Sequence, residues 1–183
     1  MKLLVGVTGS VAAIKTAEII TRLETFGLEI KIVTTEAGLS FLNKSEPTLQ
    51  GVLTDDDDRW DELGEPVLHI ELRKWADALV ILPLTANTLA KISNGLCDNL
   101  LTNVARAWDF SKPFMVFPAM NTHMWLHPIT TLQLSTLQGW GITVVEPVEK
   151  RLACGDVGMG GLPDSWTVIK RVMDMLEQAT ETT

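Results

Sequence analysis

Five short apolar runs, at 2–7, 29–33, 78–82, 114–117 and 142–145, restrict the folds open to this chain more than any other feature. Most read as strands buried on both faces, being brief, rich in aliphatic residues and closed by Thr, Gly, Pro or Asn. Helical periodicity fills the gaps between them. The stretch 11–26 carries Ile14, Ala17, Ile20 and Leu23 on one face and stops at Gly27. A short helical stretch runs from Thr35 to Leu42, further helical patterns occupy 86–94, 98–108 and 129–138, and a last one covers 166–176. Strands alternating with helices predict an α/β fold whose parallel sheet is covered on both faces. Right-handed crossovers then give a single-domain Rossmann/flavodoxin-like three-layer sandwich. At 183 residues the chain supports one such domain, expected to span 1–183.

In open parallel sheets, ligands bind beyond the carboxyl ends of the strands. Four such ends here are polar. Gly9-Ser10 follows the first strand at the start of a helix, where backbone N–H groups favour an anion. The spacing of Gly6 and Gly9 departs from Gly-x-Gly-x-x-Gly, so a mononucleotide phosphate fits better than a dinucleotide. Thr34-Thr35 follows the second strand, and Pro83-Leu84-Thr85-Ala86-Asn87-Thr88 the third. Pro118-Ala119-Met120-Asn121 follows the fourth, placing an amide that offers both a carbonyl acceptor and N–H donors. A lone Asn or Thr in such a turn ordinarily caps a helix. Four together outline a polar-edged cleft suited to a flavin or nucleotide.

Two segments fall outside the alternation. The stretch 45–65 contains Asp55-Asp56-Asp57-Asp58 and reads as a solvated acidic loop. The stretch 146–164 reads as a long connection without secondary structure, dense in glycine, and is expected to be a mobile substrate lid. Cys154 lies on it beside Arg151, a setting that favours a reactive thiol, whereas Cys97 reads as a small packing residue. His69 lies among apolar neighbours near a helix start; a histidine there is ordinarily structural, yet imidazole is the usual proton carrier near neutral pH. His123 and His127 make weaker candidates, and His127 before Pro128 reads as a loop residue.

Composition removes several function classes. A net charge of -8 offers no basic stripe for nucleic acid. Two cysteines without ligand spacing give neither a disulfide framework nor a zinc site, and no metal is expected. The chain shows no signal-peptide pattern and no apolar run of spanning length, so a cytoplasmic location and no membrane contact are expected.

Taken together, Gly9-Ser10-Val11-Ala12, Glu65-Pro66-Val67-Leu68-His69-Ile70, the segment 83–88, Pro118-Ala119-Met120-Asn121 with Met124-Trp125, and Leu152-Ala153-Cys154-Gly155-Asp156 resemble the homo-oligomeric flavin-containing cysteine decarboxylases. The resemblance runs from Val5 to about Gly160; the Asn turn and the Ala-Cys-Gly-Asp segment are specific in combination. It implies FMN held non-covalently between subunits of a homotrimer. It further implies catalytic roles for His69 and Cys154, and substrate contacts from Asn121, Met124, Ala153 and Gly155. Cofactor contacts are implied for Gly9, Ser10 and Val11, for Thr34, Thr35 and Phe41, for Thr85, Ala86, Asn87 and Thr88, and for Ala119 and Met120. The chain departs from the family after Gly160, where Gly161-Leu162-Pro163 stands in place of a small residue followed by Met-Ala.

The implied reaction is decarboxylation of 4'-phospho-N-pantothenoylcysteine to 4'-phosphopantetheine in coenzyme A biosynthesis. A cysteinyl carboxylate has no electron sink until its CH₂–SH group is oxidised to C=S, and a flavin serves that purpose. Cys154 then separates the branches: a peptidyl-cysteine decarboxylase, which stops at the enethiol, has no need of it. A flavin prenyltransferase would lack the His69–Asn121–Cys154 set. A non-catalytic regulator of a protein phosphatase is the remaining alternative, but such relatives carry long acidic extensions, whereas only 177–183 follow the last helical pattern here.

Overall fold

The computed structural model describes residues 1–42, 49, 51–59, 62–153 and 155–181. Strands β1 (Lys2–Val7), β2 (Glu29–Thr34), β3 (Ala78–Leu84), β4 (Phe114–Pro118) and β5 (Thr143–Val144) form one sheet in the order β2-β1-β3-β4-β5. Every pairing is parallel, with Leu3 opposite Ile30, Leu4 opposite Leu79 and Met115 opposite Thr143. This is the flavodoxin-like order, and the expected fold class holds.

The pleat turns successive side chains to opposite faces, and in β1, β3 and β4 both sets are mostly apolar. Leu3, Val5, Val80, Leu82 and Phe117 meet Ile19, Ile20 and Leu23 of α1 (Thr16–Thr25), and Val168, Ile169 and Val172 of α8 (Ser165–Glu181). Leu4, Leu79, Ile81 and Val116 face the other way. There they pack on α3 (Leu68–Trp75), α4 (Ala86–Ser93), α5 (Leu100–Arg106) and α7 (Pro128–Gly139), through Leu72, Leu89, Leu101 and Leu137. Two short helices, α2 (Glu36–Leu39) and α6 (Thr122–Trp125), follow the carboxyl ends of β2 and β4.

Local signals explain the boundaries. The first crossover begins as a 3-10 turn, Val11–Lys15, with the Ser10 hydroxyl accepting from the Ala12 amide, before α1 proper. Helix α5 starts at Leu100 because the Asn99 side chain accepts from Thr102 N–H while the Thr102 hydroxyl serves the Asn99 amide in return. His127 is a helix cap and not a loop residue: its Nδ1 accepts from Ile129 N–H ahead of Pro128.

The stretch 146–164 differs from expectation. It holds an antiparallel hairpin, β6 (Val148–Arg151) with β7 (Val157–Gly161), outside the main sheet. Leu162 and Pro163 after it are buried in the body of the protein. Cys97 also differs, being exposed rather than packed; it follows a turn at Gly95, whose φ of +73 carries the chain outward.

Candidate active site

Strand order reverses between β1 and β3, so the loops leaving these two strands diverge and open a crevice. Thr8 ties the crevice together from beneath. Its buried hydroxyl donates to the Pro83 carbonyl at 2.7 Å and accepts from the Thr85 amide at 2.9 Å. Above this stitch lies a cavity of about 610 Å³, within the range of small-molecule sites, roughly 300–1,000 Å³. Gly9, Ser10 and Thr35 line one side. Thr85, Ala86, Asn87 and Thr88 line the opposite side, with the Thr85 hydroxyl also capping α4 through Thr88 N–H at 3.3 Å. At the mouth, Lys91 donates to both Asp98 oxygens at 2.8 Å and thereby holds that carboxyl below its ordinary pKa.

A second cavity, about 390 Å³, lies under the β6–β7 hairpin. The two cavities share Ser10, Ala119, Met120 and Asn121, so they adjoin across the turn after β4. Val11 and Ala153 line the second cavity, as do three cationic residues, Lys15, Lys150 and Arg151. Burial pushes the Lys150 ammonium below its ordinary pKa; Lys15 pushes in the same direction, and Asp164 opposes both. The Lys150 amine donates to the Leu162 carbonyl. Asn121 sits where the cavities meet, its Oδ1 accepting from the His123 amide at 2.8 Å.

His69 lies elsewhere. It is on the first turn of α3 and lines neither cavity. Its Nδ1 is 3.0 Å from Asp58 Oδ2 and 3.2 Å from Asp58 Oδ1, and its backbone amide donates to Oδ1 at 3.3 Å. The acidic run is therefore not simply a solvated loop: the Asp58 side chain is only 11% exposed.

A family model for flavoproteins matches residues 1–177. The phosphopantothenoylcysteine decarboxylase of Oryza sativa subsp. japonica is 51% identical over 166 residues, covering 89% of this chain and 75% of the relative. Two solved structures superpose closely. A cysteine-to-serine mutant of a PPC decarboxylase complexed with pantothenoylaminoethenethiol gives a TM-score of 0.90 at 48% identity, covering 96% of this chain and 98% of that one. The FMN-binding protein AtHal3 gives 0.88 at 48%, covering 97% of each chain. The chain belongs to the phosphopantothenoylcysteine decarboxylase family.

Of the residues expected to form a site in this decarboxylase family, Gly9, Ser10, Thr35, Thr85, Asn87 and Met124 gather on one cavity. Thr34 lines neither cavity; it is fully buried, and its hydroxyl donates to Val7 O at 3.3 Å. Phe41 packs against the core cluster on one face of the sheet, and Gly155 is exposed at the hairpin tip with a φ of +96. Cys154 lies outside the described residues. Sequence reasoning missed Asp58, Lys91, Asp98, Lys15 and Lys150. A visible signal existed for Lys150 only, since it stands next to Arg151 directly before the Leu152-Ala153-Cys154 segment.

Proposed function

We propose that this chain is an FMN-dependent decarboxylase that converts 4'-phospho-N-pantothenoylcysteine to 4'-phosphopantetheine. The observation that carries the reading is a pair of adjoining, chemically distinct cavities, two halves of a site that share Asn121. The half over the β1/β3 crevice offers Ser10, Thr85 and Thr88 hydroxyls and an Asn87 amide, a donor set that fits the phosphate and polar edge of FMN. The other half combines apolar lining with Lys15, Lys150 and Arg151, which suits a pantothenoyl chain ending in a phosphate. FMN held by these residues would supply a reversible hydride acceptor for the substrate's CH₂–SH carbon.

The residues of the chain supply position and protons. Oxidation removes a hydride from carbon and a proton from sulfur, leaving C=S placed to accept electrons from the departing carboxylate. Loss of CO₂ then yields an enethiolate. Asn121 orients the carboxylate through its amide, and His69 takes the thiol proton. Cys154 donates a proton to the enethiolate carbon as the hydride returns, and protonated His69 gives a proton back to the sulfur, so the net change is loss of CO₂ and uptake of one proton. The related decarboxylase carrying a cysteine-to-serine change was captured with an enethiol, which supports placing a thiol at this last stage.

Each complete site, in this reading, needs a second copy of the chain, and the assembly is a homotrimer with FMN at its interfaces. Supporting it is the position of His69 away from both cavities of its own chain. The β6–β7 hairpin acts as the substrate lid, and a thiol role for Cys154 fits the reducing cytoplasm. No described helix is long and apolar enough to cross a membrane. The test is direct: purified protein should show a flavin spectrum and release CO₂ from 4'-phosphopantothenoylcysteine, with a product lighter by CO₂ alone. A colourless protein that binds no FMN on titration overturns the reading, and a product lacking two further hydrogens moves it to the enethiol-forming branch.

A further inference from the structure

We infer that Asp58 is the positioning residue of His69, fixing its imidazole with the proton on Nδ1 and the basic lone pair on Nε2. The inference rests on the proton-handling role proposed for His69. An ionised carboxylate is acceptor-only, so a ring nitrogen at 3.0 Å from Asp58 Oδ2 must be the one that carries hydrogen. That leaves Nε2, on the far side of the ring, free to accept a proton. A carboxylate behind an imidazole also steadies the charged ring that forms when it does so.

The arrangement is built rather than incidental. Three N–H groups converge on the one carboxylate: His69 Nδ1, His69 backbone N–H at 3.3 Å, and Asn103 Nδ2 at 3.2 Å. Asp58 is 11% exposed and the His69 side chain 25%, so neither sits on an open surface where such a pair contributes little. The acidic run itself is fastened at two points one helical turn apart. Asp55 Oδ1 accepts from the Leu100 amide at 2.7 Å at the start of α5, and Asp58 accepts from Asn103 three residues further along. Asp57 closes the turn between them, its Oδ2 accepting from the Thr54 amide at 2.7 Å. Spacing 55/58 thus matches spacing 100/103, and the run bridges the N-terminal half of α5 to the first turn of α3.

The first measurement uses the wild-type holoenzyme. Nitrogen-15 NMR of the His69 imidazole, assigned by loss of its signals in His69→Asn, should show the neutral ring protonated on Nδ1. A ring protonated on Nε2 overturns the inference without touching the role of His69. The second uses Asp58→Asn, which keeps the shape but leaves one oxygen for the three donors and turns an N–H toward at least one of them. FMN content and KM should stay at wild-type values, kcat should fall about 10²-fold, the lower end of what a positioned proton carrier contributes, and the tautomer preference should be lost. Wild-type kcat, or a fall in kcat with the Nδ1–H tautomer intact, overturns the inference. If His69→Asn itself decarboxylates normally, the proposed role of His69 fails instead, and the tautomer measurement still decides what Asp58 does to the ring.

Discussion

The Gly160 carbonyl accepts a hydrogen bond from the Met120 amide at 2.9 Å, which docks the β6–β7 hairpin onto the turn that presents Asn121. Gly160 has a φ of +130, and a Cβ built there would lie 2.2 Å from the Met120 carbonyl oxygen. Backbone cannot yield as a flexible side chain does, so any larger residue must lift the hairpin. Gly160→Ala should therefore displace Lys150, Arg151 and Ala153 from the cleft while leaving the crevice between β1 and β3 intact. The expected outcome is retained FMN with kcat/KM reduced by about 10²-fold, the scale of an ångström-sized misplacement. Steady-state kinetics beside a flavin spectrum checks it; unchanged kcat/KM would mean the hairpin does not position substrate.

The buried stitch at Thr8 should dominate the stability of the crevice. Thr8→Val preserves shape but leaves the Pro83 carbonyl and the Thr85 amide without their partner. One buried acceptor left unsatisfied costs about 1–3 kcal/mol and the part-buried Thr85 amide adds less, so a loss of at least about 1 kcal/mol is expected, read by urea denaturation of the apoprotein. A loss under 1 kcal/mol, below the bottom of that range, would show that the crevice relaxes to satisfy both groups by other means.

The contrast between Thr8 and Asp58 shows how far the sequence could be read. Strands β1, β3 and β4 were legible because residues such as Leu4, Leu79 and Val116 are buried in the sheet, and two-sided burial leaves a continuous apolar run. The polar strand ends were legible for the same reason, since the edge begins where the run stops. Asp58 was not. Its partners lie 11 and 45 positions away, and a row of four carboxylates carries no mark of which one turns inward. The hairpin was obscured by Gly155, Gly158, Gly160 and Gly161, which read as loop while β7 uses three of them to pass close to Thr122, Met120 and Lys150.

Lys150 makes the binding of a phosphate-bearing substrate sensitive to pH. Its pKa in the free cleft is lowered, chiefly by burial and further by Lys15. A bound phosphate supplies the missing counter-charge and raises it again, so binding is strongest where Lys150 is already protonated. Affinity should fall as pH rises through the lowered value, earlier than an ordinary lysine would allow, and KM should climb while kcat holds. Lys150→Met should raise KM and flatten that profile. A KM that stays constant from neutral to alkaline pH removes Lys150 from the phosphate site.

Two changes on the reacting side separate proton transfer from recognition. His69→Asn should keep FMN and abolish CO₂ release, because an amide of similar size carries no proton. Asn121→Asp should also be severely impaired, since a carboxylate facing the substrate carboxylate in a partly desolvated cleft repels it. Radiolabelled CO₂ capture measures both, and a wild-type rate in either variant withdraws that residue's assignment. Mixing the two inactive variants tests the assembly as well. If His69 serves a cleft in a neighbouring copy, mixed oligomers should regain part of the activity, whereas a self-sufficient monomer gives no recovery.

Cys154→Ser isolates the end of the reaction. Oxidation of the substrate and loss of CO₂ both precede the step assigned to this thiol, so both should survive the change. A serine hydroxyl is far less acidic than a thiol, whose reference pKa is about 8.5, and is a poor proton donor to an enethiolate. The variant should release one equivalent of CO₂ per site and hold the enethiol beside reduced flavin. Further turnover should then require O₂ to reoxidise that flavin. Stopped-flow absorbance of the flavin and mass spectrometry of the released product follow the two halves separately. Formation of 4'-phosphopantetheine at the wild-type rate would make Cys154 a bystander and move the proton donor to another group near the β6–β7 hairpin.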